Sequence, residues 1–360
     1  LLRFFAADAA TKAIGFYSED LSDAKGLIDT GRAILRRAEP KPIVALKSGK
    51  TAAGTAASSS HTGALAGSDA AYEALFRQAG IIRVDGLEEL TAALEVFSKN
   101  PLPESNRVAI LTNAGGLGVM ATDACVSQGL ELATLAPETI AMFQSFLPAA
   151  ANSHNPIDVL GDAHADRYER SLDTALADPN VDMLLVIITP QAMTEADKTA
   201  EAIASARDRF PAKPIIVSLS GDQSFGSAKA FLENHQVVAL RSPEAAAETL
   251  GHLARVSRWR TELGTTPFDF PDIDTAAARK TIKAARKNNQ LQIPEADCMR
   301  ILSAYGFRFL SHQVVTSRET ALEAARTIGK PVVLKIVSPD ITHKSDAGGV
   351  LIGIDPAHAD

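Results

Sequence analysis

Pro42-Ile43-Val44-Ala45-Leu46-Lys47 is an apolar run with no polar face, and it opens directly into a stretch of small residues from Ser48 to Ser60. A strand with one wet face alternates apolar and polar residues, whereas a run without alternation fits a strand covered on both sides. A helical pattern from Ser68 to Gly80 follows the small-residue loop. Ile81-Ile82-Arg83-Val84 is then a second short apolar run, leading to a helix over Leu87 to Ser98. Upstream, Ala13-Ile14-Gly15-Phe16-Tyr17 precedes an amphipathic stretch from Ala24 to Ala38 in the same order. Strands buried on both faces and alternating with helices imply an α/β, doubly wound parallel sheet.

Asn100-Pro101-Leu102-Pro103 reads as a boundary, after which the pattern restarts. Strands are expected at Arg107 to Thr112, Leu130 to Ala133, Met183 to Ile188, Pro214 to Leu219 and, more weakly, Val237 to Leu240. With the helices between them they form a second doubly wound unit ending near Trp259. Residues 261–287 carry prolines, aspartates and the basic stretch Arg279 to Lys287, which suits a linker with one solvated helix. A third, α+β pattern then begins, with strands at Val314-Val315, Pro331 to Ile336 and Gly349 to Ile354.

The 360 residues are 46% hydrophobic and 22% charged, enough for packed cores and unlike a disordered chain. The net charge of −7 and the low aromatic content give a nucleic acid nothing to bind or stack on. Cys125 and Cys298 stand alone, as reduced thiols of a cytoplasmic protein do. No apolar run reaches the roughly 20 residues needed to cross a bilayer. Leu1 to Phe5 lacks both an initiator Met and a signal pattern, and both ends look cut through a fold, so the piece alone is expected to be inactive.

Four places carry candidate chemistry. In the loop around Ser60-His61-Thr62-Gly63, small residues and hydroxyls can surround an anion, and an imidazole there is nucleophilic near neutral pH. An ordinary loop histidine is the competing reading. Glu19, just past a strand end, can fix the tautomer of such a histidine or simply cap the next helix. Asn113-Ala114-Gly115-Gly116 runs from a strand into a helix start, suited either to phosphate or to a tight connection. Lys335 ends an apolar strand and leads through His343 and Lys344 to Gly348-Gly349. A buried ammonium there would call for a phosphate oxygen, and a snorkelling lysine would not. Asn155-Pro156-Ile157-Asp158 and Thr189-Pro190-Gln191 flank strand ends as well. His154 and His164 lack partners at ligand spacing, so no metal held by histidine is expected.

Taken in order, Lys47-Ser48-Gly49-Lys50, Ser60 to Ser68, Phe76 to Val84, the glycine turn from Asn113, Asn155 to Asp158 and Lys335 to Val350 resemble the NDP-forming acyl-CoA synthetase superfamily. The resemblance runs along nearly the whole chain. It implies two flavodoxin-like domains, 1–100 and 104–260, a linker over 261–287, and the start of an ATP-grasp module over 288–360. It implies a phosphoryl relay in which acyl-CoA and phosphate exchange through an acyl phosphate that His61 attacks. Glu19 would orient the ring, and helix starts near Thr62 and Gly115 would hold the phosphoryl oxygens. His343 would be a second carrier and Lys335 a nucleotide-phosphate ligand. The implied small molecules are a carboxylic acid, coenzyme A and ATP or ADP with Mg²⁺, with homo-oligomerisation left open. The alternative is the acyl-CoA-synthetase-like regulatory region of a protein lysine acetyltransferase.

Overall fold

The structure is a computed structural model that describes residues 1–21, 23–51, 53–54, 69–221, 225–262, 270–290, 292–338, 341, 344–355 and 357. It divides into two compact units, Leu1–Thr266 and Pro267–Asp360.

The first unit begins with α1 (Leu2–Ala7), β1 (Ile14–Ser18), α2 (Ala24–Leu35), β2 (Ile43–Lys47), α3 (Asp69–Ala79), β3 (Ile81–Val84) and α4 (Leu87–Lys99). The three strands form one parallel sheet in the order β1-β2-β3. All five residues of β2 are buried, as expected for a central strand. One face of the sheet packs Ile14, Ile43, Ala45 and Ile81 with Ile34, Tyr72 and Phe76 of α2 and α3. The other packs Val44, Leu46, Ile82 and Val84 with Ala93, Val96 and Phe97 of α4.

The chain continues through β4 (Arg107–Thr112), α5 (Gly115–Ser127), β5 (Glu131–Leu132), α6 (Pro137–Phe146), β6 (Ile157–Asp158), α7 (Ala165–Ala177), β7 (Met183–Ile188), α8 (Ala196–Arg209), β8 (Ile215–Leu219), α9 (Gly226–Asn234), β9 (Val238–Leu240) and α10 (Pro243–Glu262). The sheet order is β5-β4-β7-β8-β9, all parallel, with β6 also paired to β4. With the two-residue β6 left out, the order counted along the chain is 2-1-3-4-5, that of a flavodoxin-like fold, whose ligand sites lie beyond the carboxyl ends of the strands. Alternate residues enter two cores: Leu111, Val186 and Val217 on one face, Ile110, Leu185 and Ile216 on the other. The second core also holds the α4 face of the first sheet and seven residues of α10, from Ala246 to Trp259. A layer of two helices therefore joins both sheets in one unit.

His252 lies in that layer, 4% exposed, and its Nδ1 has no partner among the described residues. Burial, and secondarily Arg255, push its pKa down to about 4. The unfolded chain then binds the extra proton between pH 6.5 and 4. The associated stability is complete above pH 6.5 and is lost as pH falls through about 4. This difference amounts to about 3 kcal/mol. Urea unfolding followed by Trp259 fluorescence is expected to give a pH 7.5 to 4.5 drop smaller by about that amount in His252→Leu. An unchanged drop would remove His252 from the acid response.

The second unit comprises α11 (Thr275–Lys287), α12 (Glu295–Ser303), α13 (Arg318–Ile328), β10 (Val332–Lys335) and β11 (Val350–Ile354). Ser317 and Thr320 form a capping box at the start of α13, and Gly329 ends that helix at φ 66°. The two strands pair antiparallel, Lys335 opposite Val350. Val314-Val315, expected as a strand, is not one; Val314 is exposed and no neighbouring strand supplies a ladder for it among the described residues. Among the described residues no helix is long and apolar enough to cross a membrane.

Candidate active site

At the carboxyl edge of the first sheet, β1 delivers Glu19 and β2 delivers Ser48 side by side. The Tyr17 hydroxyl hydrogen-bonds both, at 3.1 Å to Glu19 Oε1 and 3.0 Å to Ser48 Oγ. The helix-cap reading of Glu19 fails: Asp23 caps α2, accepting from the Gly26 amide at 2.8 Å. Glu19 is thus held half-buried at the root of the small-residue loop that leaves β2. His61, Ser60, Thr62 and Gly63 lie outside the described residues.

Beside Glu19 is a buried cation that the sequence reading did not single out. Lys47 is 2% exposed at the end of β2. Its ammonium donates to the Ser48 carbonyl and sits 4.4 Å from the centre of the Tyr72 ring. Tyr72 donates at 2.7 Å to Asp20 Oδ1. That bond, then the Leu21 amide, then the charge of Lys47 hold the Asp20 carboxyl below its ordinary pKa. The available signal was a lysine closing a strand with no polar face, where an ammonium needs compensation. The result is a polar network of fixed charge at the end of β2.

The edge of the second sheet is built around Asn113, which is 2% exposed. Its Oδ1 accepts from the Thr189 amide and hydroxyl, both at 2.9 Å, and its Nδ2 donates to the Thr189 carbonyl at 3.1 Å. These bonds tie the ends of β4 and β7 together. Thr112 Oγ1 meets the Ala114 amide at 3.0 Å, so the turn into α5 is fixed locally. Ala114 gives α5 no side-chain cap, and the amides of Gly115, Gly116 and Leu117 have no acceptor among the described residues. A Cβ at 115 would lie 3.0 Å from Asp158 Oδ2, while one at 116 would meet nothing within 4 Å. Glycine therefore lets the helix start sit over β6 and leaves Gly116 open to an incoming anion. Tyr168 donates at 2.9 Å to the Ile187 carbonyl below this edge, and burial, followed by Asp158, raises its pKa.

In the second unit Lys335 is exposed, not buried, because β10 carries only one partner strand. The expectation that burial would demand a phosphate partner is corrected accordingly. Glu295, which the sequence reading missed, supplies the counter-charge: Oε1 lies 2.8 Å from Lys335 Nζ and Oε2 2.5 Å from Lys344 Nζ. The bonds from Lys335 and then Lys344 hold the Glu295 carboxyl down at about 2. Ile336 N donates to Gly349 O at 2.8 Å and Gly349 N to Lys344 O at 2.7 Å, closing the segment between them. His343 lies outside the described residues. Among the described residues no group of three His, Cys, Asp or Glu side chains could hold a metal ion.

Comparison with known families follows the same division. Residues 1–97 match the succinyl-CoA ligase like flavodoxin domain, 108–264 the ligase-CoA domain, and 284–359 an ATP-grasp domain. Over 353 residues the chain is 35% identical to the ADP-forming acetate–CoA ligase I of Archaeoglobus fulgidus, covering 98% of this chain and 50% of that one. The chain belongs to the NDP-forming acyl-CoA synthetase superfamily. Another member, the ADP-forming 4-hydroxybutyrate–CoA ligase of Nitrosopumilus maritimus, is 34% identical over 354 residues, 98% of this chain and 50% of its own length. A solved superfamily structure, acetyl-coenzyme A synthetase 1 of Ca. Korarchaeum cryptofilum in complex with phosphate and ADP, superposes with a TM-score of 0.70 at 33% identity. It covers 75% of this chain and 58% of that one. The chain spans about half the length of the curated relatives it matches.

Proposed function

We propose that the chain is part of an ADP-forming acyl-CoA synthetase, which interconverts acyl-CoA, ADP and phosphate with a carboxylic acid, ATP and CoA. In this reading residues 1–100 and 104–260 are the two flavodoxin-like domains, and 288–360 begin the ATP-grasp module. Phosphate displaces CoA from the acyl carbon to give an acyl phosphate. His61 Nε2 then attacks phosphorus, the P–O bond to the carboxylate breaks, and the acid leaves. Glu19 accepts a hydrogen bond from Nδ1–H, which fixes the tautomer and stabilises the cationic phosphohistidine. The open amides of α5 and the hydroxyls of Ser60 and Thr62 face the phosphoryl oxygens, where charge neutralisation and positioning lower the barrier. ADP then takes the phosphoryl group from the histidine, with His343 as an intermediate carrier and Lys335 on the nucleotide phosphates. Mg²⁺ would accompany the nucleotide and neutralise its charge.

The observation that carries this reading is the placement of Glu19. It is bonded through Tyr17 to Ser48, the first residue of the loop that bears His61, and it is not spent on capping α2. In the complete protein, Glu19→Gln is expected to slow phosphorylation by acetyl-CoA and labelled phosphate roughly 10- to 100-fold without shifting the unfolding midpoint. Rapid-quench kinetics matching the parent would deny Glu19 that role. The acid itself is assigned no further than a small carboxylate, since the two relatives compared are named for acetate and for 4-hydroxybutyrate.

A further inference from the structure

A cleft of about 560 Å³ opens between α3, β3 and the C-terminal half of α10. Arg77, Arg83, Arg255 and Arg258 line it, against Glu73 and Glu262. Ile81, the first residue of β3, is also part of its wall. In a parallel sheet this places the cleft toward the opposite end from Ser18 and Lys47, away from Glu19.

The four arginines of this cleft are unevenly compensated. Glu73 is engaged at 3.2 Å with Arg83 Nη1, and Glu262 lies 3.7 Å from Arg258 Nε. Arg83 also pairs with Asp69 at 2.5 Å, and 9% of its side chain is exposed. Its Nε, fully buried, has no acceptor among the described residues. Arg77 and Arg255 have no hydrogen-bond or ion-pair partner among the described residues. Burial, and then the charge of Arg258, lower the pKa of the half-buried Arg255 guanidinium. Holding the Arg255 guanidinium half out of water without an ion pair, and the Arg83 Nε without an acceptor, is unfavourable, and an anion in the cleft would offset both. Arg83, Arg77 and Arg255 stand on three different elements and line the same cleft. Such a set suits a tetrahedral, many-oxygen group better than a planar carboxylate. Four arginines stand against Asp69, Glu73 and Glu262, which leaves a positive charge over, and the volume exceeds that of one phosphate.

We propose that this cleft binds a small polyphosphate anion at a site separate from the strand-edge chemistry. The proposal does not depend on the synthetase reading. Trp259 lines the cleft, is 7% exposed, and is the only tryptophan in the chain, so its fluorescence reports this site alone. Titrating inorganic pyrophosphate into the 360-residue chain is expected to give a saturable change in that signal. The apparent Kd should rise at least tenfold in Arg77→Ala and in Arg255→Met, as expected for loss of a charge-assisted phosphate contact. Arg77 is exposed and has no ion pair among the described residues, so its removal leaves the fold intact. His61→Ala should titrate like the parent. The proposal is overturned by the absence of a saturable change, by unaltered titrations in both arginine variants, or by an equal response to sodium chloride at matched ionic strength. Loss of the response in His61→Ala would overturn it too, and so would binding of an acidic peptide where pyrophosphate fails.

Discussion

Replacing Asn155 by alanine is expected to lower the unfolding free energy of the first unit by about 3 kcal/mol, since three sheet groups lose a partner at once. The reason lies in how β4 is edged. β5 pairs with Arg107 and Val108, and β6 pairs with Leu111 and Thr112, leaving a gap between them. The Asn155 side chain fills it: Oδ1 accepts from the fully buried Ile110 amide at 2.9 Å, and Nδ2 donates to the carbonyls of Val108 and Ala133 at 2.8 and 3.1 Å. Alanine leaves a donor and an acceptor inside the sheet with nothing to bond. Asn155→Asp keeps the acceptor but points a carboxylate at two carbonyl oxygens, and is expected to be at least as damaging. Urea unfolding read by Trp259 fluorescence measures both. A loss below about 0.5 kcal/mol for alanine would mean that water or backbone movement substitutes for the amide. Because Asn155 holds β6, and with it Asp158 beneath Gly115, the same variant should also disturb the α5 start.

The fold was readable in the sequence wherever burial was two-sided. Val44 to Leu46 and Met183 to Ile188 have no polar face because helices cover both sides of their sheets, and they form the central strands. Short and edge elements were less visible. β6 is two residues long, held by one asparagine side chain more than by any pattern, and Ile157-Asp158 carries no period to detect. Val314-Val315 has β-forming residues but no neighbouring strand, so propensity alone misled. For the site, strand-end positions placed Glu19 and Asn113 correctly at sheet edges. What the sequence did not reveal were partners made by tertiary contact: Thr189 on Asn113, 76 positions away, and Glu295 on Lys335, 40 away. Such separations follow from sheet order and helix packing, which no local window contains.

The role of His61 remains the central claim, and the largest effect belongs to it. A phosphoramidate forms only if an unprotonated imidazole nitrogen meets phosphorus, and no other group in the Ser60–Gly63 loop offers such a nitrogen side chain. Serine and threonine there would give acid-stable esters, so the chemistry of the label identifies its carrier. The complete protein, incubated with acetyl-CoA and labelled inorganic phosphate, is therefore expected to yield an acid-labile, base-stable phosphoprotein, because from that side the phosphoryl group reaches His61 before His343. His61→Ala should abolish the label while leaving the unfolding transition in place. Undiminished acid-labile label on His61→Ala would contradict the account.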